Sequence, residues 1–222
     1  MSHPPLRLAH RGDWRNAPEN SLDALAAAMT VPGCDGVEFD VRLSLDGVPV
    51  IIHDETLLRV QRRPERVDRL TAAALGEAGV PTLRSVLDAL PDPAFLDVEL
   101  KGEGHGAATA ALLLAARGEA PARALVSSFE PATLLAMREH LPGWRRWLNA
   151  EDLAPQTLSL AMGIGCHGVA ARAGSIAPAG IRAARDAGLE VAAWTVRRPA
   201  TVARLGRLGV VACCVEGAAF LG

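Results

Sequence analysis

The sequence lacks an excess of charge of either sign, and it has no hydrophobic run long enough to span a bilayer. Its 222 residues carry 23 Lys and Arg against 25 Asp and Glu, a formal net charge of -2. This balance offers no basic surface for a nucleic acid. The Ala-rich stretch 107–116 is too short to cross a membrane. Because no apolar leader begins the sequence, we expect no signal peptide, no stable membrane association and a cytoplasmic location.

Cysteine is also scarce, and its spacing argues against a zinc site or a redox pair. The four cysteines form no C-x-x-C motif and do not lie beside histidines at zinc-binding spacing. Cys213 and Cys214 are adjacent, so on a strand they would point to opposite faces. We therefore predict small buried thiols. No G-x-G-x-x-G motif follows the first apolar run, which disfavours a dinucleotide-binding fold.

Short apolar runs alternate with longer amphipathic ones along the whole chain. The predicted strands are 6–10, 36–41, 49–53, 94–100, 124–129, 146–150, 165–171, 190–196 and 210–216. The predicted helices are 21–29, 82–90, 106–117, 131–140, 155–161, 178–187 and 199–208. The strands are almost continuously apolar, as in a parallel sheet covered on both faces. About eight strand–helix units predict an α/β fold, a (β/α)8 TIM barrel forming one domain over 1–222, with a doubly wound open sheet as the alternative. Asp46-Gly47 predicts a small β-hairpin inside the second unit.

Acidic side chains interrupt two of the apolar strands. Glu38 and Asp40 share one face of their strand, and Asp97, Glu99 and Lys101 share one face of another. Buried acids need a compensating cation. Glu38, Asp40 and Glu99 suit a hard divalent ion such as Mg²⁺, Ca²⁺ or Mn²⁺. The alternative is a set of structural salt bridges with Arg11, Arg42 or Lys101.

Two histidines end apolar runs near these acids. His10 precedes Arg11, and His53 precedes Asp54. As a pair beside an acidic metal site, the imidazoles suit general acid and general base catalysis. Arg11 and Lys101 add fixed positive charge for an anionic oxygen. These groups together suit hydrolysis of a phosphodiester, and parallel barrel strands would bring them to the mouth of the barrel.

Six segments of the sequence resemble the glycerophosphodiester phosphodiesterase family. They are HRGDWRNAPENS, GVEFDVRLSLDGVPVIIHDETLLR, PTLRSVLDAL, DVELK, VSSFEPATL and GLEVAAWTV, and they extend in the family's order from about residue 6 to 200. The resemblance implies a TIM barrel that cleaves glycerophosphodiesters to an alcohol and glycerol 3-phosphate with a divalent metal, in lipid and glycerol metabolism. It leaves open whether water or the substrate's own glycerol hydroxyl attacks phosphorus first.

The resemblance also assigns roles to residues. His10 and His53 match the acid and base, and Arg11 and Lys101 match phosphate-contacting cations. The metal ligands match Glu38, Asp40 and Glu99. Glu19 and Asn20 lie in the P-E-N signature, where they are expected to brace Arg11 and the first loop. Trp194 is expected to form an apolar wall against the carbon skeleton of the substrate, with plain core packing as the alternative.

Three segments depart from the family pattern. The insertion 59–80 is short and basic, which predicts an open pocket of broad selectivity. The sixth barrel strand lacks the usual polar element, and its Arg172 is interpreted as a solvated surface cation. The last strand has lost the family motif, with Glu216 as a candidate for its final acid. Two other functions remain open: a lysophospholipase D-like activity on lipid headgroups, and a non-catalytic barrel that binds phosphorylated metabolites.

Overall fold

Nine strands and nine α-helices alternate along residues 4–220, the part of the chain that this computed structural model describes. The strands are β1 Leu6–His10, β2 Gly36–Leu43, β3 Pro49–Ile51, β4 Phe95–Leu100, β5 Ala124–Ser128, β6 Arg145–Ala150, β7 Gly168–Arg172, β8 Glu190–Val196 and β9 Ala212–Val215. The helices are α1 Leu22–Ala28, α2 Leu58–Gln61, α3 Ala72–Glu77, α4 Leu83–Ala89, α5 Ala107–Arg117, α6 Pro131–His140, α7 Pro155–Gly163, α8 Pro178–Asp186 and α9 Pro199–Leu208. Two 3-10 turns lie at Val67–Arg69 and Gly217–Phe220.

The parallel strands close into a barrel. Each strand except β3 pairs in parallel with its neighbours, in the order β1, β9, β8, β7, β6, β5, β4, β2, and β2 pairs back with β1. In the closing pairs, Leu8 is opposite Cys214 and Ala9 is opposite Val215. The predicted (β/α)8 barrel is therefore confirmed, and the divergent last strand still closes it.

Helix starts follow the local signals of the sequence. The Ser21 and Thr82 side chains accept hydrogen bonds from the backbone N–H groups of Ala24 and Ser85, capping α1 and α4. Helices α6 to α9 all begin with proline, whose missing N–H costs nothing at the first helical position. These helices pack their apolar sides on the outer face of the strands, where most of the hydrophobic core lies.

The interior of the barrel divides into an apolar floor and a polar mouth. The floor consists of seven buried residues, Leu8, Phe95, Leu125, Trp147, Ala170, Ala192 and Ala212. Two positions further along their strands lie His10, Asp97, Ser127, Asn149, Arg172, Trp194 and Cys214. Residues two apart share a strand face. On each strand, the residue two positions after the floor residue therefore also points inward, and it lies nearer the mouth. The polar residues therefore collect at the carboxyl ends of the strands.

The β-hairpin and the insertion after it form a small folded unit beside the barrel. Strand β3 pairs antiparallel with β2, and Gly47 takes the positive φ of 73° in the turn, as Asp46-Gly47 predicted. The insertion contains α2, the first 3-10 turn and α3, which were not predicted. Its apolar residues form a separate cluster: Val50, Ile52, Leu57, Val67, Leu75 and Val80. Several of its arginines pair with acids, including Arg63 with Glu65.

All four cysteines are free thiols; Cys166, Cys213 and Cys214 are buried as predicted, whereas Cys34 is only partly buried. Cys213 packs in the outer core, whereas Cys214 points into the barrel and lines its cavity. The two neighbours thus occupy opposite faces of β9.

Candidate active site

A cavity of about 380 Å³ lies at the mouth of the barrel. Seven of the residues singled out from the sequence line it: His10, Arg11, Glu38, His53, Glu99, Lys101 and Trp194. Asp40, Glu19 and Asn20 lie behind this surface and reach the site through hydrogen bonds and ion pairs. The barrel thus brings together side chains from both ends of the chain.

The three carboxylates expected to bind metal meet at the wall of this cavity, where Glu38 and Glu99 line it and Asp40 lies behind them. Asp40 on β2 lies opposite Glu99 on β4 in the strand register. One oxygen from each of Glu38, Asp40 and Glu99 lies within 4.8 Å of the other two, and all three residues are buried. The set contains only carboxylate oxygens, the donors that hard divalent cations prefer. The structure therefore brings the trio together, and its role as a ligand set stays a prediction.

Asp40 is the carboxylate that protein cations compensate. Lys101 Nζ lies 3.3 Å from its Oδ1, and Arg11 Nε lies 3.2 Å from its Oδ2. The Asn20 amide donates a hydrogen bond of 2.8 Å to Oδ2. Burial alone would raise the pKa of Asp40, but the charges of Lys101 and Arg11 outweigh it and lower that pKa to about 2. Asp40 therefore forms the ion pairs with Arg11 and Lys101 that the salt-bridge alternative predicts.

Glu38 has no such compensation. Neither of its carboxylate oxygens has a hydrogen-bond partner among the described residues, although the side chain is buried. The nearest ion-pairing atom is His10 Nε2, 3.8 Å from Oε2. Burial, followed by the charges of Asp40 and Glu99, raises the pKa of Glu38 well above its ordinary value. A buried carboxylate without a partner is costly, and a bound cation would remove that cost.

Glu99 shares a cation with Asp40. Lys101 Nζ lies 2.5 Å from Glu99 Oε1. Burial and the charge of Asp40 nevertheless raise the pKa of Glu99 to about 7. Burial would lower the pKa of Lys101, but the charges of Asp40 and Glu99 reverse that effect and raise it. Lys101 is therefore a fixed positive charge at the cavity wall.

Glu216, the residue that directly follows β9, contacts the His10 ring. His10 Nδ1 lies 2.5 Å from Glu216 Oε1, and Arg197 Nε donates a 2.9 Å hydrogen bond to the other oxygen, Oε2. The carboxylate fixes the ring and leaves Nε2 facing the cavity. Glu216 thus occupies the position suggested for the final acid, while Arg197 was not predicted.

His53 has a similar arrangement on the opposite side. Its Nδ1 lies 2.6 Å from Asp54 Oδ1, and Arg59 Nε donates a 2.6 Å hydrogen bond to Asp54 Oδ2. Arg42 Nε donates to the His53 carbonyl at 2.8 Å. Burial lowers the pKa of His53, a shift that the charge of Asp40 only partly opposes. Asp54 and Arg59 were not predicted as site residues, although Asp54 is adjacent to His53 in sequence.

The first loop places Arg11 by an unusual backbone path. Arg11 and Asn20 both have positive φ, 61° and 59°, a backbone conformation that residues other than glycine rarely adopt. The Asn20 N–H donates to the Arg11 carbonyl at 3.0 Å, and Arg11 Nη1 donates to Glu19 at 2.8 Å. Glu19 therefore contacts Arg11 as expected. Asn20 contacts Arg11 through its backbone N–H, and its side chain contacts Asp40.

Two aromatic rings border the polar groups. Trp194 and Phe129 meet edge to face with ring centroids 5.5 Å apart, and both line the cavity. The Trp194 indole N–H donates to the Ala170 carbonyl at 2.8 Å, which fixes the ring. Arg172, which ends the sixth barrel strand, is exposed and pairs with Glu151 at 3.5 Å, in line with a surface cation.

Asp97 is a buried acid that sequence analysis placed on the Glu99 face without giving it a role. It lines the cavity and accepts a 2.6 Å hydrogen bond from Ser127 Oγ. Burial raises its pKa to about 7, despite that hydrogen bond. Period-two alternation from the apolar floor is the signal that could have placed Ser127 and Asn149 here as well.

The glycerophosphoryl diester phosphodiesterase family model matches residues 10–217. The chain belongs to this family. It is a phosphoric diester hydrolase that acts on glycerophosphodiesters, and the resemblance found in its sequence motifs is confirmed.

Relatives of this glycerophosphodiester phosphodiesterase extend over most of its length. A glycerophosphodiester phosphodiesterase of Caldanaerobacter subterraneus subsp. tengcongensis is 29% identical over 92% of this chain and 91% of its own. A probable glycerophosphodiester phosphodiesterase 2 of Mycobacterium tuberculosis is 31% identical over 87% of this chain and 80% of its own.

Solved structures share the fold of this phosphodiesterase. An Oleispira antarctica phosphodiesterase in complex with the product sn-glycerol-3-phosphate superposes with a TM-score of 0.84, at 25% identity, over 98% of this chain and 95% of that one. A glycerophosphodiester phosphodiesterase from Agrobacterium tumefaciens gives a TM-score of 0.83 at 26% identity, over 98% of both chains. Within residues 4–220, none of the helices combines the length and the apolar character that a bilayer crossing requires.

Proposed function

We propose that this enzyme hydrolyses small glycerophosphodiesters, such as glycerophosphocholine or glycerophosphoethanolamine, to an alcohol and glycerol 3-phosphate. The proposal includes a divalent cation, Mg²⁺ or Ca²⁺ with Mn²⁺ as an alternative, bound by Glu38, Asp40 and Glu99. The observation that carries it is the buried Glu38 carboxylate without a hydrogen-bond partner, in a cavity that is also lined by two histidines that each contact an acid. Glycerol 3-phosphate is the product bound in the Oleispira antarctica relative, which supports the substrate class.

The residues of the cavity fit a divalent cation. The donor set consists of three carboxylates within 4.8 Å, and neither oxygen of Glu38 is engaged by a hydrogen bond. When bound, such a cation would neutralise the phosphate and polarise the phosphorus–oxygen bond. Arg11 and Lys101 flank the same acids and line the cavity, so their charges favour the anionic oxygens of a bound phosphodiester.

The two histidines supply proton transfer in this proposal. One imidazole accepts the proton of the attacking hydroxyl, and the other donates a proton to the departing alcohol oxygen. A carboxylate engages Nδ1 of each ring, so Nε2 is the atom left for the substrate. Burial lowers the pKa of His53, which keeps its imidazole neutral over a wider pH range. We therefore assign the base to His53 and the acid to His10.

The aromatic border gives the site an apolar side. Trp194 and Phe129 lie next to the polar cluster, and Lys101 Nζ lies 5.4 Å from the Phe129 ring centroid. We propose that Trp194 packs against the carbon skeleton of the substrate while Lys101 contacts its phosphate. We also propose that residues 1–222 act as one catalytic domain, which the family match over 10–217 supports. The cytoplasmic location stays a prediction.

One assay tests this function. Purified protein is incubated with glycerophosphocholine and either Mg²⁺ or Ca²⁺, with and without a chelator, and glycerol 3-phosphate is measured. The expected result is release with metal, loss with chelator and recovery when metal is restored. A parallel incubation contains lysophosphatidylcholine. Turnover of that lipid alone would overturn the proposed substrate class in favour of a lysophospholipase D-like activity, and turnover unaffected by chelator would overturn the metal assignment.

A further inference from the structure

Arg59 joins two loops of the active site without lining the cavity. It lies on α2 of the insertion, and its Nε donates a 2.6 Å hydrogen bond to Asp54 Oδ2. Its Nη1 and Nη2 donate to the two carboxylate oxygens of Glu19 at 2.8 and 2.6 Å. One guanidinium therefore contacts two carboxylates, and Glu19 is 40 residues away in sequence.

Each of those carboxylates contacts one residue of the site. Asp54 Oδ1 lies 2.6 Å from His53 Nδ1, and Glu19 Oε1 accepts a 2.8 Å hydrogen bond from Arg11 Nη1. Arg59 is thus one residue removed both from the proposed base and from a proposed phosphate contact. The rigid, planar guanidinium suits this arrangement because its donors have fixed directions.

The stability of the insertion does not explain these contacts. The Arg59 side chain is 48% exposed, and exposed ion pairs add little to the free energy of unfolding. The hairpin and the insertion share a buried cluster, to which Val67 and Leu75 of the insertion belong and Arg59 does not. Arg59 instead fixes the loop of Glu19 relative to the loop of Asp54. It thereby restricts the orientation of the side chains on those two loops.

We propose that Arg59 is a positioning residue, which orients His53 through Asp54 and Arg11 through Glu19. This inference rests on the proposed function, because it takes the roles of His53 and Arg11 from there. It goes further in connecting helix α2 of the insertion, through Arg59 alone, to the positions of His53 and Arg11.

The chain offers a matched control in Arg66. This arginine also belongs to the insertion, has the same 48% side-chain exposure, and bridges two acids, Glu55 and Asp68. Neither of those acids contacts a histidine or Arg11 among the described hydrogen bonds. Arg66→Ala therefore removes a similar ion-pair network without the connection to the site.

The test measures kcat and KM for glycerophosphocholine. Arg59→Ala is expected to lower kcat by about 10–100-fold, the usual effect of losing a partner that orients a functional group. It should also raise KM, because Arg11 loses its brace. Arg59→Lys should fall between Arg59→Ala and the unchanged enzyme, since an ammonium keeps the charge but cannot contact both carboxylates as a fork. Arg66→Ala is expected to keep the unchanged kcat and KM.

The two connections can be tested one at a time. Asp54→Asn should reproduce the loss of kcat, and Glu19→Gln should reproduce the rise in KM. The double variant Arg59→Ala with Asp54→Asn should lose little more kcat than either single variant, because both substitutions act on His53. Unchanged kinetics in Arg59→Ala, or equal losses in Arg59→Ala and Arg66→Ala, would overturn the proposal.

A readout without turnover separates this inference from the proposed function. The ¹⁵N shifts of the His53 ring report which nitrogen carries the proton. Arg59→Ala should change them, and Arg66→Ala should not. If the unchanged protein lacked phosphodiesterase activity, the proposed function would be wrong, but these shifts would still decide whether Arg59 orients His53. Identical His53 shifts in Arg59→Ala and Arg66→Ala would overturn the positioning role of Arg59.

Discussion

His10 Nδ1 lies 2.5 Å from Glu216 Oε1, although 206 residues separate the two in sequence. Closure of the barrel brings them together, because β9 pairs in parallel with β1 and places the end of each strand at the same rim. The first and last parallel strands thus complete one histidine–carboxylate pair. If His10 acts in the reaction as proposed, barrel closure is needed for catalysis as well as for folding.

Glu216→Gln is expected to lower kcat by about 10–100-fold, because the neutral amide cannot orient the His10 ring as the carboxylate does. Steady-state kinetics with glycerophosphocholine checks this. Glu151→Gln is the control, since Glu151 is an exposed acid whose partner, Arg172, is also exposed. A Glu216→Gln enzyme with unchanged kcat would show that His10 does not need its acid.

His10→Ala and His53→Ala are each expected to lower kcat by about 10²–10⁴-fold, the usual contribution of acid–base catalysis. Activity should rise with pH as His53 loses its proton, and because burial lowers the pKa of His53, this rise is expected below its ordinary value of 6.5. The pH profile of kcat/KM measures it. In His53→Ala this acidic limb should vanish; its persistence there would assign the base to another residue.

Glu38→Gln should change how metal affects stability. In chelator, the variant is expected to melt at a higher temperature than the unchanged protein, because it no longer buries an uncompensated carboxylate. Added Mg²⁺ or Ca²⁺ should stabilise the unchanged protein by about 2.7 kcal/mol at a concentration of 100 times Kd. The variant should respond far less. Thermal melts with and without metal provide the measurement, and equal metal responses in both proteins would remove Glu38 from the ligand set.

Asp97→Asn tests the buried acid that no role in the reaction explains. Burial raises the pKa of Asp97 from 3.8 to about 7 in the folded state. Between these values the folded protein holds a proton that the unfolded chain has lost, so stability from this group falls by about 1.4 kcal/mol per pH unit as pH rises. This contribution is complete below pH 3.8 and is lost as pH rises through about 7.

The asparagine variant has no proton to lose at this position. Relative to the unchanged protein, it should gain stability from pH 5 to pH 7 and then level off. Urea unfolding in metal-free buffer measures the difference. Asp92→Asn, at a side chain that is 93% exposed, serves as the control and should show no such trend. A difference independent of pH would refute the raised pKa.

Lys101 can be tested by chemical modification, because it is the only lysine in the sequence. Acylation of its amine removes the positive charge proposed to contact phosphate, so turnover should be lost as the Lys101 peptide becomes modified. Bound glycerol 3-phosphate should slow both processes. Peptide mass spectrometry together with residual activity follows them, and full activity after complete acylation would exclude Lys101 from the phosphate site.

The sequence alone determined the layers of the barrel. Period-two alternation placed Glu38 and Asp40 on one face of β2, and Glu99 on one face of β4, because side-chain direction along a strand depends only on local geometry. The family motifs added His10 and His53 at the ends of such strands. These features follow from residues close together in the chain, so they could be predicted without coordinates.

Only the tertiary structure decided which side chains hold those residues in place. The Asn20 side chain contacts Asp40, Arg59 joins Glu19 to Asp54, and Arg197 supports Glu216. These contacts depend on loop paths, on the positive φ of Asn20 and on barrel closure. No local pattern encodes such distances. The physical reason is that a hydrogen bond needs its two atoms about 3 Å apart, which only the packed fold can specify for residues far apart in the chain.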